Sequence, residues 1–96
     1  MTGAIVRSKI ELLEITRSRA VELQSTRMQI DDVAGFTAGY ASKILGPGQV
    51  RTVVNESLWQ LLWSLGLRLR VEVDPDATQI VQQHYSRRRA IPSAGR

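Results

Sequence analysis

The chain has 96 residues, 43% of them hydrophobic, with no cysteine, one histidine and a formal net charge of +4. That length admits one core but not a core plus a separate catalytic domain, while the lack of cysteine and the solitary His84 exclude disulfides, thiolate sites and histidine clusters, so no metal or cofactor is expected. No run approaches the roughly 20 apolar residues of a membrane span, and the N-terminus lacks the apolar core of a signal peptide, so a cytoplasmic protein with no membrane contact is the expectation.

Ile10, Leu12, Leu13, Ile15, Ala20, Val21 and Leu23 lie in a segment free of glycine and proline, which predicts a first helix over residues 8–24. The stretch from Arg27 to Gly46 follows, with the apolar and glycine spacing of two short motif helices joined by a tight turn. Thr26 caps its first helix, Ile30, Val33 and Ala34 face inward, and Gly35 supplies the permissive backbone for a sharp exit. Phe36 plugs the corner. Thr37 caps the second helix, whose inward residues are Ala41, Ile44 and Leu45 and whose outer side carries Ala38, Gly39, Tyr40, Ser42 and Lys43.

GPGQV at 46–50 stops regular structure, and residues 51–54 form a short connector. Asn55 opens a further helix with an apolar stripe of Leu58, Leu61, Leu62 and Leu65, an exit at Gly66, and a staple between Val54 and Trp59. From 67 to 74 the period changes to two: Leu67, Leu69, Val71 and Val73 alternate with Arg68, Arg70, Glu72 and Asp74, the pattern of a half-buried strand. Asp76 caps a last short helix in which Ala77, Ile80, Val81, His84 and Tyr85 share a side. Residues 86–96 read as a flexible basic tail, and they hold most of the excess charge: residues 76–96 carry four arginines against Asp76.

Thr26, Ile30, Gly35, Phe36, Thr37, Ala41 and Ile44, in that spacing, make the chain resemble the lambda-repressor-like, Cro/repressor-type helix-turn-helix family over residues 8–66. The resemblance implies a mainly α, compact four- to five-helix DNA-binding domain, here with one short C-terminal β-strand, and a dimeric bacterial or phage transcriptional regulator. It makes Thr37, Ala38, Gly39, Ser42 and Lys43 the groove-facing positions, with Tyr40 beside them. Where the family places a small residue between the motif helices this chain has Asp31, which predicts either helices set slightly apart or a carboxylate turned to solvent. The second motif helix has no arginine, asparagine or glutamine to make bidentate base contacts, so modest or indirect specificity is expected.

In such a site the N–H groups that start the second motif helix meet a phosphate, Thr37 and Ser42 donate to phosphate or base atoms, and Lys43 adds charge. Ala38 and Gly39 allow close approach to the groove. Tyr40 either lies along the phosphates through its hydroxyl or packs its ring against the first helix as a structural residue. Arg27 is a phosphate candidate, whereas Arg17 and Arg19 have Glu11, Glu14 and Glu22 as helical partners. Arg87, Arg88 and Arg89 either add salt-sensitive auxiliary phosphate contacts or only solubilise.

Trp59 and Trp63 share one face of their helix, beside the leucine stripe, and suit either the core or a subunit contact. The strand needs a partner. Pairing two copies antiparallel about Val71 sets Arg70 against Glu72, Arg68 against Asp74 and Leu69 against Val73, which makes Trp59, Trp63, Leu69, Val71 and Val73 the candidate dimer interface. Residues 4–6 or 78–81 of the same chain are the alternative partners. No enzyme signature is present: Asp31 and Asp32 diverge on a helix, and His84 has no orienting group. The expectation is therefore one helix-turn-helix domain over residues 1–85 (motif 26–46, strand 67–74), acting as a homodimer on double-stranded DNA. The alternative is an antitoxin or adaptor that uses the same fold to bind a protein partner.

Overall fold

The computed structural model describes residues 3–47 and 55–90, which are mainly helical. The first helix, α1, spans Lys9–Glu22 because Ser8 adopts an extended conformation and its hydroxyl accepts from the N–H of Glu11 at 3.2 Å. Leu12, Leu13, Thr16 and Ala20 form its buried stripe, while Ile10, Val21 and Leu23 stay on the outside. Thr16 is inside at no polar cost, since its hydroxyl donates to the Leu13 carbonyl at 2.6 Å.

The second helix, α2, spans Arg27–Ala34 and opens on a complete capping box: Thr26 Oγ1 accepts from the N–H of Gln29, and the Gln29 side chain accepts from the N–H of Thr26. Gly35 ends it in the left-handed region at φ +77°, the exit expected of a glycine there. Its buried residues are Ile30, Asp31 and Ala34. Val33, expected inside, is exposed; the arc facing the rest of the fold is turned toward Asp31 instead, for a reason that lies in the next helix.

That helix, α3, spans Tyr40–Leu45 and starts later than expected, so Thr37 is not its cap. Gly39 precedes it at φ +88°, a conformation that keeps the backbone out of the helix until Tyr40. Ala41, Ile44 and Leu45 are buried as their spacing predicts. After Pro47 the end of the GPGQV stretch and the 51–54 connector lie outside the described residues, as does the proposed Val54 staple. The fourth helix, α4, spans Asn55–Ser64 and buries Leu61, Leu62 and the following Leu65, with Leu58 partly covered. It exits at Gly66 through paired bonds from the N–H of Leu67 to the Leu62 carbonyl and from the N–H of Gly66 to the Trp63 carbonyl.

The core of Leu13, Ala20, Ile30, Ala41, Ile44, Leu45, Leu61 and Leu65 is thus assembled by α1 to α4, with α2 packed against both α3 and α4. Burying each of the leucine and isoleucine side chains among them stabilises the fold by ~1.5–3 kcal/mol. Two arginines of α1 close the far ends of its neighbours. Arg17 Nε donates to the Leu45 carbonyl at 2.8 Å, and Arg19 Nε to the Leu65 carbonyl at 3.0 Å, while Arg19 also meets Glu22 at 3.5 Å. Cationic donors at carbonyls left open by a helix end are favourable both as hydrogen bonds and against the helix dipole.

Beyond Leu67, which still packs on it, the chain leaves this core. Residues 67–74 form no strand: among the described residues no ladder pairs with them, residues 4–6 are irregular, and residues 78–81 are helical. The physical reason is the missing second strand, without which an extended segment has no ladder to join. The alternation itself survives, because Arg70 and Glu72 lie close enough for a 3.6 Å ion pair along one side of the segment. The last helix, α5, spans Pro75–Ala90. Its cap is Asp74, not Asp76: Oδ1 of Asp74 accepts from the N–H of Ala77 at 3.0 Å, and Pro75 takes the first helical position, where a missing N–H costs nothing. The helix also runs through the start of the expected flexible tail, carrying Arg87, Arg88 and Arg89 in its backbone; residues 91–96 lie outside the described residues. None of residues 75–87 is buried. The radius of gyration is 18.7 Å, where a compact chain of this length would have about 12–13 Å. No described helix is long and apolar enough to cross a membrane.

Candidate nucleic-acid interface

A single residue ends α2 and begins α3. The backbone carbonyl of Asp31 accepts from the N–H groups of Gly35 and Phe36, the latter at 2.8 Å, which closes α2. Its side-chain carboxylate accepts from the N–H of Gly39 at 2.9 Å through Oδ2 and from the N–H of Ala41 at 2.8 Å through Oδ1. Gly39 has no side chain to cap with, so a carboxylate from the preceding helix does that work across the turn. Asp31 is only 6% exposed, and a negative group at the start of a helix is also favoured by the helix dipole. The carboxylate is inside and not turned to solvent, and it bonds the start of α3 from α2. The available signal in the sequence was its position one residue after Ile30 and three before Ala34, together with the lack of any capping side chain at Gly39.

This bond pattern changes the chemistry expected at the start of α3. Of the N–H groups suggested for a phosphate, those of Gly39 and Ala41 are taken by Asp31, and that of Tyr40 donates to the Thr37 carbonyl at 3.0 Å. These three are committed within the fold. The ring of Tyr40 packs, but on Phe36 in the turn and not on α1 as expected. It is half-buried against the core, its ring edge-on to Phe36 with centroids 4.9 Å apart and planes at 71°.

The remaining candidates lie at the surface. Thr37, Ala38, Gly39, Ser42 and Lys43 are all exposed. Arg27, Ala38, Gly39 and Ser42 come together around a shallow open groove of about 670 Å³ between the first turn of α2 and the approach to α3. Met28, Asp31 and Asp32 also line it, which makes the groove part apolar and sets one cation, Arg27, against two carboxylates. Arg27 is half-buried and already donates from Nη2 to the Leu45 carbonyl at 3.3 Å. The positive charge of this surface therefore comes chiefly from Lys43.

The candidate subunit-contact residues lie elsewhere. Trp59 and Trp63 are 58% and 71% exposed on the outer side of α4, and Leu69, Val71 and Val73 are exposed on the extended segment. Arg87 is exposed on α5. Asp74, which starts α5, has its pKa held below the ordinary carboxylate value, first by the N–H of Ala77 and then by Arg7, whose guanidinium is 3.5 Å away. Compared with known proteins, the chain matches no family model, no curated protein and no solved structure. Its own residues carry the functional reading.

Proposed function

We propose that this protein is a non-enzymatic, sequence-specific DNA-binding regulator of the lambda-repressor-like kind, which sets the exposed edge of α3 into a major groove as a homodimer. The observation that carries this reading is the pair α2 and α3, turned through Gly35 and locked by Asp31, with small and polar residues on its outer edge. Ala38 and Gly39 put no bulk between the backbone and the DNA, Ser42 donates, and Lys43 bonds a guanine acceptor or a phosphate. Arg27 reaches the sugar-phosphate chain from the opposite rim of the groove. With one strong cation and no bidentate side chain on α3, discrimination rests on few contacts and on DNA shape. Arg87, Arg88 and Arg89 add affinity that depends on salt and not on sequence. A two-fold dimer presents two such edges to successive grooves roughly 34 Å apart, favouring a near-palindromic site and regulation by occupancy.

The test is selection of binders from a random duplex pool by the purified protein at about physiological salt, where non-specific attraction is screened. Enrichment of one near-palindromic sequence, abolished by Ser42→Ala with Lys43→Ala, is the expected result. Retention only at low salt, with no enriched sequence, overturns the reading. The exposed tryptophans favour a second one, an antitoxin or adaptor that binds a protein through Trp59 and Trp63. Stoichiometric co-purification of a second protein, lost on changing Trp63 to Ser, would select it.

A further inference from the structure

Residues 69–87 carry an apolar pattern that none of the described residues buries. Val71 is 97% exposed and Val73 82%, and Leu69 lies on the same side of the segment. On α5, Ala77, Ile80, Val81 and His84 recur at helical spacing and are all exposed. A helix of this length standing alone is marginal in water, and so is a lone strand. We propose that this arm is completed by the same arm of a second copy, the two extended segments pairing antiparallel about Val71 and the Ile80 and Val81 side of each α5 closing over the apolar face of the ribbon.

Charge complementarity selects a second copy as the occupant. An antiparallel pair centred on Val71 puts Leu69 against Val73 on one face and Arg70 against Glu72 on the other, each contact occurring twice by symmetry. Arg68 falls opposite Asp74. A shift of register by one residue would set apolar against charged side chains, so the pattern fixes the alignment. Arg70 and Glu72 already attract each other along one side of the segment, which holds the charged face ready. A standard interface takes roughly 20–30 residues from each side, about the length of this arm. The pairing is independent of whether the protein binds DNA.

The chain's lack of cysteine provides a direct test. Val71 sits on the proposed two-fold axis, where facing Cα atoms are about 4.5–5.5 Å apart and within disulfide range. The full chain carrying Val71→Cys, mildly oxidised without DNA, is expected to run as a covalent dimer. Val73→Cys is expected not to, because its two copies are about 13 Å apart along the ribbon. Crosslinking of both variants, or of neither, overturns the proposal. Sedimentation equilibrium supplies a second measure without an introduced thiol. Wild type is expected at twice 10.7 kDa, Arg70→Glu at about tenfold weaker association, and Arg70→Glu with Glu72→Arg restored. A wild-type monomer at all concentrations, or a dimer indifferent to Arg70→Glu and to Val71→Pro, overturns it equally.

Discussion

The helical core built by α1 to α4 and the arm of residues 68–90 use similar patterns to opposite effect. Both alternate apolar and charged side chains at regular periods. In the core the apolar stripes meet one another, and even the polar residues that enter it are satisfied: Thr16 by Leu13, Asp31 by Gly39 and Ala41. In the arm the same kind of stripe faces outward, with Val71 and Val73 almost fully accessible. Patterning therefore states that a face is to be buried, but not whether the partner lies in the same chain.

The sharpest break in this comparison is a cavity in the core. Leu61→Ala is expected to cost about 2–5 kcal/mol in chemical denaturation, whereas Val71→Ser, measured where the protein is monomeric, should stay within about 0.5 kcal/mol of wild type. Equal losses at both sites would erase the distinction. Next in size is Asp31. Asp31→Ala leaves two N–H groups at the start of α3 without their acceptor and should cost about 3 kcal/mol, with Asp31→Asn roughly half of that because one oxygen still accepts. If Asp31→Ala unfolds no more readily than an exposed control such as Asp32→Ala, the carboxylate is not what joins the helices.

A smaller effect is expected at Arg17. Arg17→Met keeps the apolar stem but removes the donor to Leu45, for a loss of about 1 kcal/mol, read as a lowered denaturation midpoint with an unchanged slope. The smallest concerns the arm and acid. Because the pKa of Asp74 is lowered in the folded chain, its contribution to α5 is present above the ordinary carboxylate value of 3.8 and is lost as pH falls through the depressed one. Helicity followed by circular dichroism should thus hold from neutral pH down to about 5 and decline only in stronger acid. Asp74→Ala should show the lower helicity already at neutral pH, while Asp76→Ala should not.

Much of the core was legible in the residues. The Thr26 cap, the Gly35 exit and the inward set Ala41, Ile44 and Leu45 follow from local chemistry, since a capping hydroxyl, a left-handed glycine and a helical period act within one turn of the chain. The candidate interface was legible as a set of exposed residues at the turn and on α3. Its supporting bonds were not, because Asp31 and Ala41 are ten residues apart and meet only when two helices have taken their relative orientation. The same holds for Arg17 and Leu45, separated by 28 residues.

Sequence alone thus specified the cap and exit of α2, the inward set of α3, and that residues 67–74 alternate, but not the starts of α3 and α5, which lie at Gly39 and Asp74 instead of Thr37 and Asp76. Whether Asp31 faces water or a helix start, whether Val33 or Asp31 is inside, and whether the alternating segment finds a strand beside it depended on where other elements came to rest. Burial and hydrogen-bond partnership belong to pairs of elements, and a stripe on one of them names only half of the pair.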